Sequence, residues 1–372
     1  MKSLNLPYNP RIDQLRWLAA TLVFLFHYYL AYREQGGTPL ASNWFGLVTE
    51  GHTGVGLFFA LSGFLFMQIA QHQQTIHYRD FMRNRCLRIL PLFLTIFMLA
   101  TAIGRDKFAP QDVLYVLSTN LGLAPTSYTP VTGAAWSISV EFTFYLVFPF
   151  LARFTLEQGP RYLLKLLALM VFFKLAAFTV NEKSTLMYFS TLVGRFDQFL
   201  IGMLAAVLAA RHGALLRGRL ALPALAASVL LVVFNSALQS KYGKFDPATH
   251  TRFWIWWSML EAAGWSGLIV TWLAAAPRLP RWLESVLDQG GKISFSFYLL
   301  HMGVIHLLAK SFGLPVITGD KLTDALLLLP LVYGVTWAIS VLSYSAVEEP
   351  FLRLRRGYGA AKPGVQLVSD AA

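Results

Sequence analysis

The sequence predicts an all-α, polytopic integral membrane helix bundle with about ten transmembrane helices, and three observations carry that expectation. Hydrophobic residues make up 56% of the 372-residue chain and charged residues 13%, with a mean hydropathy of +0.52. An ordinary soluble domain is roughly 45–50% apolar and about 25% charged. The apolar residues are gathered into stretches near the roughly 20 residues that a helix needs to cross hydrocarbon at 1.5 Å rise per residue. The 10 Trp, 15 Tyr and 29 Phe suit membrane interfaces and packed helices.

In chain order, the approximate cores of these stretches are 15–32, 53–70, 87–104, 134–153, 162–180, 192–210, 220–238, 255–276, 293–312 and 323–346. What remains forms connections too short for a second soluble domain. Residues 1–372 therefore read as one transmembrane domain with a short tail from about residue 353. The longest connection, about 105–133, is rich in Pro, Thr and Gly and has room for a short helix at 111–122. The first stretch holds Arg16 and His27 and is followed by no small-residue cleavage site, so it reads as a retained helix rather than a signal peptide. Lys and Arg divide about 18 to 9 between the two sets of connections, which places both termini in the cytoplasm. An even number of spans agrees. The clusters Arg83-Asn84-Arg85 and Arg353-Leu354-Arg355-Arg356 are expected at the cytoplasmic headgroups.

Several function classes drop out. The net charge of +12 is scattered between apolar runs rather than gathered on one face, so no nucleic-acid partner is expected. The single cysteine, Cys86, excludes an intramolecular disulfide framework, an iron–sulfur cluster and a zinc site built on paired cysteines. Gly54-Val55-Gly56 lacks the strand context and third glycine of a dinucleotide fingerprint. No Gly-x-Ser-x-Gly elbow supports a hydrolase-type triad.

Ionisable residues inside spanning helices cost about 2.5–3.5 kcal/mol each at the bilayer centre and so mark places to look for chemistry. Those found are Arg16, His27, Glu141, Lys174, Arg195, Asp197, Glu261, His301 and His306. Arg16 and His27 are eleven residues apart, about 20° beyond three full turns, so they share one face of the first helix. His27 is suited to take and return a proton near neutral pH; a hydrogen-bonded histidine and a snorkelling arginine fit the same spacing. Arg85 and Arg88, at i and i+3 before Pro91, put two guanidinium groups on one side. They fit a phosphate or carboxylate clamp and equally a positive-inside anchor. Ser137 and Glu141 share a face at the start of the fourth span. Capping explains the serine but leaves the carboxylate one turn inside the membrane. Ser294, Tyr298 and His301 form one polar stripe. His306 lies about 140° around that helix from His301, so the two are not expected to share a metal, and no metal site is expected. Arg195 and Asp197, at i and i+2, point to partners on other helices. Glu348-Glu349-Pro350 is expected to end the last helix.

Taken in order, these segments resemble the bacterial membrane acyltransferases of acyltransferase family three, which modify O-antigens, exopolysaccharides, Nod factors and macrolides. The resemblance rests on Arg11-Ile12-Asp13-Gln14-Leu15-Arg16 with the Arg-x10-His motif ending at His27. It continues through Gly54-Val55-Gly56-Leu57-Phe58-Phe59-Ala60-Leu61-Ser62-Gly63-Phe64 and Arg85-x-x-Arg88. Trp136-Ser137-Ile138-Ser139-Val140-Glu141-Phe142 with Tyr145, Gly202-Met203-Leu204, Ser294 through Tyr298 to His301, and Glu348-Glu349-Pro350 complete it. Gln14 and Trp17 stand where the family often has glycine, and the carboxy-terminal SGNH domain of some members is not found in this sequence.

The resemblance implies an O-acyltransferase, foremost an O-acetyltransferase, of the bacterial inner membrane. It would use acetyl-CoA or another acyl-CoA as co-substrate, no bound cofactor, and a hydroxyl of a cell-surface or lipid-linked carbohydrate as acceptor. On this reading His27 and Glu141 are catalytic. Arg16, Arg85 and Arg88 hold the acyl-CoA phosphates, and Ser137, Tyr298 and His301 orient groups on the acceptor side. His27 either acts as general base or briefly carries the acyl group. A proton-coupled transporter or exporter of a polar or lipid-linked solute would also place His, Glu and Arg inside a bundle. It would be expected to show an internal repeat or paired broken helices, and neither is detected.

Overall fold

The computed structural model describes residues 5–73, 76–103, 132–180, 185–216, 218–243, 251–312 and 316–358. The helix expected at 111–122 lies outside the described residues. Within them there is no β-strand, and ten helices of 20 residues or more cover the ten apolar stretches. These are α1 (Pro10–Glu34), α2 (Thr53–His72), α3 (Tyr78–Ile103), α4 (Thr132–Gln158), α5 (Pro160–Val180), α6 (Leu192–His212), α7 (Ala221–Tyr242), α8 (Phe253–Ala275), α9 (Arg281–Phe312) and α10 (Lys321–Ser343).

Local chemistry sets the ends. Asn9 accepts the Arg11 N–H and Pro10 opens α1 with a φ already suited to helix. Asp320 accepts the Thr323 N–H at 2.9 Å and opens α10. Among the described residues, seven helices are long and apolar enough to cross a membrane. The exceptions, α1, α3 and α8, are the ones whose apolar runs carry extra polar load. Arg11, Asp13 and Arg16 sit in α1, five charged residues fill the first three turns of α3, and Glu261 stands among five tryptophans in α8.

The first and last described segments of the chain meet at one face. There the Tyr358 N–H donates to Asn5 Oδ1 at 2.8 Å and the His77 N–H to the Tyr358 carbonyl at 2.7 Å. This end is called the terminal face below.

The core is organised around α2, on which α1, α4, α6 and α8 pack. In lipid the association of helices rests on close packing rather than on the hydrophobic effect, so small residues at crossings matter. Gly63 and Gly202 make the α2–α6 crossing possible: a methyl group at Gly63 would fall on the Phe199 carbonyl, and one at Gly202 on the Ala60 carbonyl. Phe199 then stacks between Phe59, with centroids 4.7 Å apart, and Phe144, at 4.0 Å. The α1–α9 crossing uses Gly290 and Gly291 opposite Trp17 and Asp13. Trp17 meets Phe297 and Trp337 edge-on, at 4.7 and 4.8 Å. The bulk of Trp17 is thus matched by glycine on the facing helix.

The last helix does not end at Glu348-Glu349-Pro350. A π-turn over Tyr344–Glu348 leads into one more helical turn, Glu349–Leu352. Pro350 sits in the first turn of that segment, where its missing N–H breaks no bond. The extra residue of the π-turn re-aims the side chains that follow, as such bulges do at functional sites, and Glu348 is buried towards α3.

Leucine at Gly63 or Gly202 is expected to destabilise the bundle by about 1–3 kcal/mol through overpacking. Gly213→Ala, where a methyl meets nothing within 4 Å, leaves it unchanged. Thermal unfolding of the detergent-solubilised protein reads both.

Candidate active site

A cavity of about 660 Å³ runs from the terminal face into the bundle. One stripe of α2 lines it along its length, Val55, Phe58, Ser62, Leu65, Ile69 and His72 recurring every three or four residues. From Val55 to His72 the helix rises roughly 25 Å, so the cavity joins the terminal face to the deep interior.

Its outer part is strongly basic. Five Lys or Arg residues line the cavity (Arg16, Arg85, Arg88, Lys292 and Arg355) against two carboxylates, Asp13 and Glu141. Each sequence-predicted arginine is there, and each is held differently. Arg16 pairs with Asp13 at 2.7 Å, and the other oxygen of Asp13 accepts the Tyr8 hydroxyl at 3.0 Å. Arg88 pairs at 2.9 Å with Glu348, which is 1% exposed. Arg85 lies in an aromatic cage: its guanidinium carbon is 4.8 Å from the centroid of Phe66, 5.7 Å from those of Phe81 and Tyr145 and 5.8 Å from that of Tyr358. It donates to the Tyr358 hydroxyl. Such a cage attracts the cation through the ring quadrupoles while leaving its charge uncancelled. Arg355, beyond the last span, also faces inward. Burial, and then the nearby Arg88 and Arg85 guanidinium groups, bring its guanidinium down to about 10.

Deeper in, Glu141 accepts from the Ser62 hydroxyl at 2.8 Å and from the Tyr145 hydroxyl one turn further on. Ser137 and Tyr298 hydrogen-bond through their hydroxyls at 2.7 Å and mark the inner end of the cavity with Phe58. The Tyr298 ring is 5.9 Å from that of His301. His301 and His27 form a pair, Nε2 to Nδ1 at 3.0 Å. Carbonyl oxygens fix the tautomers: His301 Nδ1 faces the Phe297 carbonyl at 3.2 Å and His27 Nδ1 the Val23 carbonyl at 3.0 Å. Carbonyls only accept, so in the neutral rings both Nδ1 atoms carry protons and both Nε2 atoms keep their lone pairs. The one Nδ1–H of His27 is shared between the Val23 carbonyl and His301 Nε2, which leaves His27 Nε2 as the basic atom. Neither imidazole lines the cavity; Tyr298 stands next to the pair.

Residues 9–345 match the acyltransferase domain of acyltransferase family three. The chain belongs to that family. Acyltransferase MdmB of Streptomyces mycarofaciens is 32% identical over 157 residues, a match covering 38% of each chain. Nodulation protein 10 of Rhizobium leguminosarum bv. viciae is 25% identical over 382 residues, covering 96% of this chain and 97% of its own. No solved structure matches.

The protein is therefore a membrane acyltransferase, and the family motifs gather at one place. Arg16, Arg85, Arg88, Ser137, Glu141 and Tyr298 share the cavity, and His27 with His301 lies just past its inner end. Sequence reasoning left out Ser62 and Tyr145, which hold Glu141, although both stand inside quoted motifs. It also left out Lys292, Arg355 and Tyr358. Arg355 had been expected at the headgroups, and a charge count has no way to separate an inward arginine from an outward one. His306 lies exposed on another flank of α9. Among the described residues no cluster of three His, Cys, Asp or Glu is placed to hold a metal ion.

The other intramembrane charges are packed elsewhere. Lys174 on α5 pairs with Asp197 on α6 at 2.5 Å, and Ser258 on α8 bonds both. Arg195 on α6 pairs with Glu261 on α8 at 2.8 Å, and Gln198 donates to the same carboxylate at 2.5 Å. These pairs tie three helices together and none of them lines the cavity. Lys174→Met leaves Asp197 buried and unpaired and is expected to cost about 3–5 kcal/mol. Lys174→Met with Asp197→Leu regains most of the folded, monodisperse protein, and size-exclusion yield compares the two.

Proposed function

We propose that this acyltransferase takes an acyl group, foremost acetyl, from acyl-CoA at the terminal face and passes it to a hydroxyl of a carbohydrate that reaches His27 from the opposite side. One observation supports this above the others: a single cavity runs from a cluster of five cationic residues to the edge of a histidine pair. A CoA thioester is polyanionic and cannot dissolve in lipid, whereas its pantetheine arm is slim and largely uncharged. Phosphates held by Arg16, Arg85 and Arg88 through charge-assisted hydrogen bonds would direct that arm along the apolar α2 wall. The excess of Lys and Arg on connections at the terminal face supports an inner-membrane protein with that face in the cytoplasm, where acyl-CoA is made.

In this mechanism His27 Nε2 removes the proton of the acceptor hydroxyl as its oxygen attacks the thioester carbonyl. The imidazolium that forms is stabilised by its Nδ1–H bond to His301 Nε2, which fixes ring orientation as well. The tetrahedral intermediate collapses, the C–S bond breaks and the proton passes from His27 to the leaving thiolate. On this reading Ser137 and Tyr298, whose hydroxyls bond each other beside the histidine pair, donate to the oxyanion. Breaking their mutual hydrogen bond lets the Tyr298 ring turn and admit the acyl group. Glu141, held by Ser62 and Tyr145 on the cavity wall, orients groups of the donor between Arg85 and the histidine pair. An acyl-histidine route would use the same Nε2 atom as nucleophile.

Membership of an acyltransferase family favours the enzyme over a transporter. Purified protein incubated with radiolabelled acetyl-CoA and candidate glycans is expected to release CoA only when acceptor is present; solute uptake without CoA release would overturn the proposal. His27→Ala at equal membrane abundance is expected to lower transfer at least about 10²-fold, the usual contribution of a positioned base. Near wild-type activity would remove His27 from the chemistry. Arg88→Gln is expected to raise the donor KM more than it lowers kcat at saturating donor.

A further inference from the structure

The family match ends at residue 345, yet the cavity wall does not. Leu352, Arg355 and Tyr358 line it, and the segment that carries them is fastened in place. Asn84, the neighbour of Arg85 on α3, donates to the Arg356 carbonyl at 2.5 Å and accepts the Arg356 N–H at 3.0 Å. Tyr358 is bonded through its N–H to Asn5 and through its carbonyl to His77, and is 1% exposed. The basic run divides accordingly. The Arg353 side chain is 70% exposed and pairs with Glu349 on the surface, and Arg356 is exposed. Arg355 turns inward, its Nε donating to the Leu352 carbonyl at 3.0 Å.

We propose that Arg355 and Tyr358 complete the donor site. Arg355 is a fourth phosphate ligand beside Arg16, Arg85 and Arg88, and Tyr358 is a positioning residue that sets the Arg85 guanidinium. Like charges gathered in a half-buried site repel one another, and a polyanion between them removes that cost. The Tyr358 hydroxyl accepts from one nitrogen of Arg85 and its ring closes the cage, which fixes the fork of a guanidinium that lines the cavity. This inference rests on the acyl-CoA reading above, and the phosphate chemistry by itself would suit an anionic lipid headgroup as well.

Full-length protein in nanodiscs of neutral lipid, titrated with CoA by calorimetry, tests it. Arg355→Gln is expected to weaken CoA binding about tenfold or more, the usual effect of losing a charged hydrogen bond. Arg355→Lys, which keeps the charge without the fork, falls between the two and serves if the glutamine variant does not fold. Arg353→Gln binds as wild type. Tyr358→Phe raises the donor KM several-fold with kcat at saturating donor unchanged; a fall in kcat at constant KM would overturn the positioning role. Equal CoA affinity of wild type and Arg355→Gln overturns the phosphate-ligand role of Arg355. So does a defect that appears only when anionic lipid is added, which identifies Arg355 as a headgroup anchor. Failure of the wild type to bind CoA removes the acyl-CoA reading itself, and this inference with it.

Discussion

A guanidinium group inside a lipid-embedded bundle must be neutralised, caged or kept in contact with water, and the layout of this protein follows from how each arginine meets that requirement. Arg195 is neutralised: Glu261 lies at 2.8 Å and both groups are 1% exposed. Arg88 is neutralised by Glu348 at the edge of the cavity, with one-fifth of its side chain still accessible. Arg85 is caged by four aromatic rings that stabilise its charge without cancelling it. The difference separates structure from function. Arg195, sealed in with its carboxylate, has nothing left to offer a ligand, whereas Arg85 and the partly accessible Arg88 and Arg16 keep donors facing the cavity. The uncancelled field lies where a polyanionic donor would enter.

The same economy explains why the chemistry is placed where it is. Glycines at the α2–α6 and α1–α9 crossings bring helix backbones into contact, which closes the bundle while leaving the cavity between α1, α2, α3, α4, α9 and the segment that carries Arg355 and Tyr358. His27 and His301 come from α1 and α9 and meet because Gly290 and Gly291 let those helices cross closely. Packing thus sets the imidazole pair, and the pair in turn sets which nitrogen is basic. Tyr298, one turn from His301 and bonded to Ser137, divides the basic cavity from that nitrogen.

The architecture was legible because lipid imposes a simple rule: each span needs some twenty apolar residues, and all ten expected stretches are covered by long helices. The arginine and histidine motifs were legible for a related reason, that polar groups in lipid stand out against their surroundings. Pro350 misled because proline breaks a helix only where its N–H is needed, and a π-turn followed by a new first turn removes that need. Lys174, Arg195, Asp197 and Glu261 stood out as strongly as Arg85 did, yet spacing along one helix carries no information about a carboxylate on another.

By itself the sequence determined the membrane class, the order of the helices, the family and the set of polar residues from which a site would be built, because hydropathy and local spacing are properties of contiguous chain. Only the tertiary structure decided which of those residues share a cavity, which nitrogen of His27 keeps its lone pair, and that Arg355 turns inward while Arg353 turns out. Those are properties of contacts between residues as far apart as 27 and 301 or 85 and 358, and they exist only once the helices have packed.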